Sequence, residues 1–180
     1  LRQTFTSEIS KVIKNAQIVF PKMITFCEQN NIELNGKPFI IYHTYDPVKG
    51  LTKLSFCVPI KNQILTSSGS DILTGKLEPF EAIKTTLTGD YSHTKKALDK
   101  AKTHINTNRI VLDPTFSHLE NFTISKTEIK NPSKWVTEIY YPIKPKVIPV
   151  TTFTPAAVKK EEAVKTPAPV INKEEEQSEF

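Results

Sequence analysis

The side chains best placed to do chemistry are an acid and a tyrosine that alternate along one predicted strand, KWVTEIYYPIK. Successive side chains of an extended chain point to opposite faces, so Glu138 and Tyr140 share one face with Val136. A carboxylate that aromatic rings partly shield from water attracts a positively charged molecule. Two ordinary roles stay open, because Glu138 could instead face solvent or pair with Lys53. The pattern by itself therefore indicates either a cation site or a surface acid.

No other reactive side chains follow a pattern typical of a catalytic or metal centre. The four histidines and two cysteines form no CxxC, HxxH or HExxH motif. Cys27 and Cys57 lie thirty positions apart, in a predicted helix and a predicted strand, and we interpret both as apolar packing residues. The glycines are isolated, which argues against a phosphate-binding loop. We therefore expect no catalytic residue, no metal and no cofactor.

Composition and charge are typical of a soluble globular domain. The chain has 180 residues, of which 38% are hydrophobic and 24% charged, and its formal net charge is +5. We expect no membrane insertion by this segment, since no apolar run approaches the ~20 residues that a membrane helix needs. We expect no direct nucleic-acid binding either, because no aromatic or glycine-rich elements accompany the lysines of the second helix. The chain begins with Leu1 rather than Met, which suggests an additional N-terminal domain upstream.

Residues 145–180 differ in composition from the rest of the chain. They contain five prolines and two mixed runs of lysine and glutamate, with no sustained hydrophobic period. Such a segment buries too little apolar area to offset the entropy lost on ordering, so we predict a disordered tail. The alternative is a docking segment, which would use the apolar residues Val147, Ile148, Val150 and Phe153.

Hydrophobic periodicity divides residues 1–144 into helices and strands. Apolar residues at steps of three and four predict an amphipathic helix over 6–30, which Pro21 should kink or divide. The same spacing predicts a second helix over 92–107, with Ser92 as its cap. β-rich and alternating runs predict strands over 37–45, 51–60, 77–89, 119–128 and 134–144.

The final predicted strand repeats an earlier one. Sliding the sequence by 83 residues places 51–61 on 134–144 and matches the closing Pro-Ile-Lys of the two segments. The same shift places 39–43 on 122–126 and brings the starts of the two helices together. It leaves the first unit with an opening strand that is partly cut away. The sequence therefore predicts a duplicated β-α-β-β unit.

Four stretches carry a likeness to a known family: GKPFIIYH, a strand ending in VPI, GDYSHTKKALDKA and WVTEIYYPI. Together they resemble the GyrI-like small-molecule-binding domain, the effector-binding domain of bacterial transcription activators. The resemblance covers residues 1–144 and is most specific at T-E-I-Y-x-P-I. It implies an α+β fold, in which duplicated β-α-β-β units form a curved antiparallel sheet backed by two helices. It also implies a ligand cleft between the repeats and favours a cytoplasmic location.

The resemblance further implies that the cleft binds a small amphipathic, often cationic, molecule. In the family a cleft glutamate supplies the counter-charge and aromatic side chains supply the walls, and the glutamate that matches here is Glu138. The opposite faces of the matched strands, which carry Leu54 and Ile139, should meet the helices. The expected ligand-binding set consists of Glu138, Tyr140, Tyr42, Val136, Ser55, Cys57 and Lys53.

Two departures from the family limit what the resemblance implies. The transcription activators join this domain to a helix-turn-helix, and none is visible here, so regulation of transcription does not carry over. The counterpart of Glu138 in the repeat is Ser55, so the second acid of hydrolytic members is missing. We therefore predict a non-catalytic binding module. The alternatives are a small-molecule hydrolase that uses Glu138 with water or Tyr140, and a protein-interaction domain that docks through the second helix and the tail.

Overall fold

One order of elements occurs twice in the part of the chain that the computed structural model describes, residues 1–67 and 69–145. The first series consists of β1 (Arg2–Glu8), α1 (Val12–Gln29), β2 (Phe39–Asp46) and β3 (Leu51–Cys57). The second consists of β4 (Ala82–Thr88), α2 (Thr94–Thr107), β5 (His118–Ile124) and β6 (Val136–Pro142). A short 3₁₀ turn leads into each helix. The predicted α+β fold is confirmed, whereas the origin of the two series in a duplicated unit stays a prediction.

The six strands form one curved sheet in the order β1-β3-β2-β5-β6-β4, and every neighbouring pair is antiparallel. The central pair, β2 and β5, joins the two halves of the sheet. Its register places Ile40 opposite Glu120 and Tyr42 opposite His118. Because paired residues of antiparallel strands point to the same face, these four side chains lie on one side of the sheet.

Both helices pack on that side, which we call the helix-side face. Helix α1 buries Ala16, Met23 and neighbouring apolar residues in a cluster that includes Ile40, Leu54 and other strand residues. Helix α2 buries Ala97, Leu98, Ala101 and Ile105 against a second cluster that contains Leu87, Ile139 and Tyr141. The three- and four-residue spacing of the buried helical positions gives each helix one apolar stripe to bury. The opposite side of the sheet is the outer face.

The start of the first helix was predicted wrongly. Residues 6–8 belong to β1 (Arg2–Glu8) rather than to the first turn of a helix, because each of them pairs with a residue of β3. The opening strand, which we expected to be cut short, has seven residues, as many as β4. Helix α1 also continues through Pro21, which is exposed, so the expected division does not occur.

The second helix begins close to its predicted position, but its cap differs from the prediction. The Asp90 carboxylate accepts a hydrogen bond from the Ser92 backbone N–H at 2.8 Å, so Asp90 rather than Ser92 caps the turn. In the described ranges, neither helix combines the length and the hydrophobicity that crossing a bilayer requires. Apart from Pro145, the predicted disordered tail lies outside the described residues.

We predict that deleting residues 146–180 leaves the fold and the melting temperature unchanged to within about 2 °C. The reason is that the two apolar clusters described above draw on residues between Leu1 and Tyr141. Thermal unfolding of the full and shortened chains, followed by circular dichroism, measures the difference. A clear drop in melting temperature on truncation would show that the tail docks on the domain.

Candidate ligand-binding site

A cavity of about 520 Å³ lies on the helix-side face, lined by residues of both helices and of the two central strands. The beginning of α1 and the residues that lead into α2 supply its walls. Strand β2 contributes Tyr42 and Tyr45, and β5 contributes Glu120. Tyr91 and Trp135 complete the lining as a stacked pair with ring centres 4.7 Å apart. The cavity therefore combines aromatic walls with one carboxylate from the centre of the sheet.

An irregularity in β2 brings both of its tyrosines to this cavity. Residues three apart in a regular strand point to opposite faces. The pairing with β3 shifts between Tyr42, opposite Leu54, and Thr44, opposite Lys53. The extra residue, His43, forms a β-bulge that resets the alternation. Tyr45 therefore returns to the helix-side face and lines the cavity with Tyr42.

The Glu120 carboxylate is buried and only partly satisfied. Its side chain is 2% exposed, and the Tyr42 hydroxyl donates a hydrogen bond to Oε2 at 2.9 Å. Within residues 1–67 and 69–145, the other oxygen, Oε1, has no hydrogen-bond partner. Among the described residues no lysine or arginine forms an ion pair with this carboxylate, and Nε2 of the His118 imidazole lies 3.7 Å from Oε1. Burying such a charge is costly unless a partner compensates it.

Aromatic rings surround the Glu120–His118 pair. The Tyr42 ring stacks on His118 with centroids 4.2 Å apart and an interplanar angle of 11°. Tyr141 stacks with the imidazole at 5.5 Å, and Tyr45 meets it edge-on at 5.3 Å. Aromatic faces attract cations, so this environment favours positive charge next to the carboxylate.

Burial keeps the tyrosine hydroxyls of the cavity protonated. Removal from water, reinforced by the charge of Glu120, raises the pKa of Tyr42 well above its usual range. Burial and then the same carboxylate raise the pKa of Tyr45. Tyr42 therefore remains a hydrogen-bond donor to Glu120 over the whole physiological pH range.

The structure places only one residue of the predicted ligand-binding set, Tyr42, in this cavity. The alternation predicted for β3 and β6 is observed, since Leu54 and Ile139 are fully buried beneath the helices. The residues between these buried positions lie on the outer face, and they comprise Lys53, Ser55, Cys57, Val136, Glu138 and Tyr140. The expected role of these residues in binding stays a prediction.

Glu138 has partners of its own on the outer face. Lys84 Nζ lies 3.0 Å from its Oε1, and the Tyr140 hydroxyl donates to its Oε2 at 2.7 Å. The hydrogen bond from Tyr140 and the nearby Lys84 ammonium lower the pKa of Glu138. The alternative partner considered from the sequence, Lys53, is thus replaced by Lys84. Glu138 is an acid with a counter-charge from the protein itself.

Two other members of the predicted set are buried between strands. The Ser55 hydroxyl is fully buried and hydrogen-bonds to Thr4 Oγ1 at 2.6 Å and to His43 Nε2 at 2.7 Å. Burial raises the pKa of the Cys57 thiol to about 12, so this side chain is uncharged. A hydrogen-bonded buried hydroxyl and a buried uncharged thiol are both typical of side chains packed within a sheet.

We predict that Tyr42→Phe lowers the free energy of unfolding by about 1–3 kcal/mol, because it leaves the buried Glu120 carboxylate with no hydrogen bond. Tyr141→Phe is the matched control, since the Tyr141 hydroxyl is buried without a hydrogen-bond partner. That control should be neutral or slightly stabilising. Urea unfolding of the three proteins measures the differences, and equal losses in the two variants would contradict the importance of the Tyr42–Glu120 bond.

Comparison with known proteins identifies the fold. No protein-family model and no curated protein matches the sequence. The crystal structure of the EcmrR C-terminal domain matches with a TM-score of 0.67 at 15% identity, over 79% of this chain and 90% of that one. The cryo-EM structure of an EcmrR–DNA complex matches with the same TM-score, 0.67, at 16% identity over 79% of this chain.

The chain spans about half of the EcmrR chain in the DNA complex, since the match covers 52% of that chain. It covers nearly all of the isolated C-terminal domain, which is an effector-binding domain of the GyrI-like fold. The present domain therefore has the GyrI-like fold that the sequence resemblance predicts.

Proposed function

We propose that residues 1–144 form a ligand-sensing module that binds an amphipathic cation in the helix-side cavity, with Glu120 as the counter-charge. The observation that carries this proposal is the Glu120 carboxylate, which is 2% exposed and keeps one oxygen without a hydrogen bond. Its position in the lining of an aromatic cavity supports a positively charged, partly apolar ligand as its partner. The fold shared with an effector-binding domain supports the same reading.

The physical argument rests on the cost of a buried charge. A carboxylate removed from water destabilises the domain unless another group compensates it. A cation supplied from outside would be attracted strongly, because water is largely excluded around Glu120. Tyr42, Tyr45, Tyr91 and Trp135 line the same cavity, and contact between a cation and such rings adds roughly 0.5–2 kcal/mol each. Apolar groups on the ligand would contact the same rings.

We infer that the module binds its ligand without reacting with it. The hydrolase alternative uses Glu138, whose two oxygens are already engaged by Lys84 and Tyr140. A carboxylate held in its charged form by a lysine is a poor proton donor, and a general acid needs the opposite environment. In a longer protein, occupancy of the cavity would be reported to an attached domain.

We also propose that the two series of elements descend from one duplicated β-α-β-β unit, with the cavity at their junction. The bulge in β2 falls at His43, and the corresponding irregularity in β5 falls at Thr123. In both halves a 3₁₀ turn precedes the helix. Superposition of the β1–β3 and β4–β6 halves would test this origin.

We predict that Glu120→Gln weakens binding of 4-hydroxyphenyltrimethylammonium by about 10- to 100-fold, which corresponds to roughly 1–3 kcal/mol. The substitution keeps the shape of the side chain and removes its charge. The neutral isostere 4-tert-butylphenol, in which carbon replaces the charged nitrogen, should lose little affinity. Calorimetric titration of both compounds measures the effects.

Glu138→Gln is the matched control, because it removes the same charge from the outer face. If Glu138→Gln weakens cation binding and Glu120→Gln does not, the site lies where the sequence predicted it. If neither substitution matters, or if the wild type binds neither compound, the proposal is wrong.

A further inference from the structure

We propose that His118 carries a proton in the ligand-free cavity and serves as the internal counter-charge of Glu120, so that a cationic ligand binds by displacing this proton. The competition between the proton and a ligand rests on the function proposed above. The protonation of His118 in the ligand-free protein is independent of that function.

The geometry of the pair carries the inference. His118 and Glu120 are 1% and 2% exposed, and Nε2 of the imidazole lies 3.7 Å from Oε1 of the carboxylate. Both facing atoms are buried, and neither has a hydrogen-bond partner in the part of the chain that the structure describes. A neutral imidazole would leave the carboxylate charge uncompensated. A proton on the imidazole turns the same two groups into an ion pair, and imidazole is the side chain that ordinarily gains charge near neutral pH.

The rings packed on His118 favour its charged form. Tyr42 and Tyr141 stack on the imidazole, so an imidazolium would lie between two aromatic faces. Tyr45 contacts the ring edge-on. The Ser117 hydroxyl lies 3.1 Å from Nδ1 and can accept a hydrogen bond from it. Burial and the Glu120 charge raise the pKa of Tyr42, so its hydroxyl keeps its own proton and cannot take the one assigned to His118.

Other charged groups lie around the pair, but among the described residues none forms an ion pair with it. Helix α2 carries Lys102, with Nζ 5.4 Å from the centre of the Tyr45 ring, and Asp99, whose charge acts on Tyr45 and Tyr141. The cavity lining also includes Asp90, Lys95 and Lys126, and His43 lines a neighbouring cavity with Tyr141. Every ion pair of the described lysines joins a carboxylate other than Glu120.

Charge balance makes the ligand and the proton competitors. A cation next to Glu120 would be repelled by a charged His118, so the bound state contains a neutral imidazole. One cation therefore enters as one proton leaves His118 for the solvent. The proton stabilises only the ligand-free state. Apparent affinity should fall by about tenfold for each unit of pH below the value at which His118 becomes protonated, and stay constant above it.

The first experiment follows the imidazole of His118 by NMR in the ligand-free protein between about pH 5 and 8. We expect His118 to titrate in the wild type and to lose its proton at a lower pH in Glu120→Gln. His104, which is exposed on α2, should titrate identically in both proteins. A His118 that stays neutral throughout, or that titrates alike in both proteins, would overturn the proposal.

The second experiment counts protons released when 4-hydroxyphenyltrimethylammonium binds, by calorimetry in buffers of different ionisation enthalpy. At a pH where the NMR titration finds His118 protonated in the ligand-free protein, the wild type should release close to one proton per cation. His118→Phe keeps a ring between Tyr42 and Tyr141 and should release close to none, with an affinity independent of pH. His104→Phe is the control and should match the wild type.

The outcomes separate this inference from the function on which it rests. If the cation binds in a way that depends on Glu120 but releases no proton, the role of His118 is refuted and the proposed function stands. Equal proton release by the wild type and His118→Phe also refutes that role, since the proton then comes from another group. A wild type that does not bind the cation refutes both the competition and the proposed function, while the NMR titration still decides the state of the pair.

Discussion

The structure depends on one constraint above all, which is the burial of the Glu120 carboxylate at the centre of the sheet. A single hydrogen bond, from Tyr42, satisfies one of its oxygens. The pairing of β2 with β5 holds donor and acceptor on the same face, and the bulge at His43 adds Tyr45 to the same surroundings. A one-residue shift in the pairing of β2 with β5 would place Glu120 and Tyr42 on opposite faces of the sheet and break their hydrogen bond. The register of the sheet therefore also determines the geometry of the site.

The cavity exists because the helices cover the two halves of the sheet separately. Helix α1 packs in a cluster with β2 and β3, while α2 packs in a cluster with β4 and β6. Tyr45 contacts both clusters and lies between them. A single continuous core would fill the space over β5 with apolar side chains. Here that space is left to Glu120 and His118, which a closely packed apolar core would exclude unless they were paired.

Periodicity predicted most of the fold but not the acid of the cavity. Alternation was sufficient for β3 and β6, whose buried residues lie on the predicted face. One 83-residue shift does not align every element of the two halves equally well. The two hairpins differ in length, with β2 and β3 joined by the turn 47–50 and β5 and β6 by the longer segment 125–135. The irregularities of β2 and β5 lie at His43 and Thr123, and if these are equivalent positions the two strands are related by a shift of 80 residues. A three-residue difference exchanges the two faces of a strand, so the 83-residue shift does not place Glu120 on the same face as Tyr42, where the sheet register places it.

Glu138 and Glu120 both lie on strands, but they differ in the group that faces each carboxylate. Glu138 pairs with Lys84, whose charge is permanent at physiological pH, and this pair is complete without a ligand. Glu120 faces His118 across a gap too long for a hydrogen bond. A permanent partner fixes a carboxylate in one state. The proposed sensing function requires a carboxylate that can exchange one cation for another, and a poorly bonded partner meets that requirement better than a fixed ion pair does.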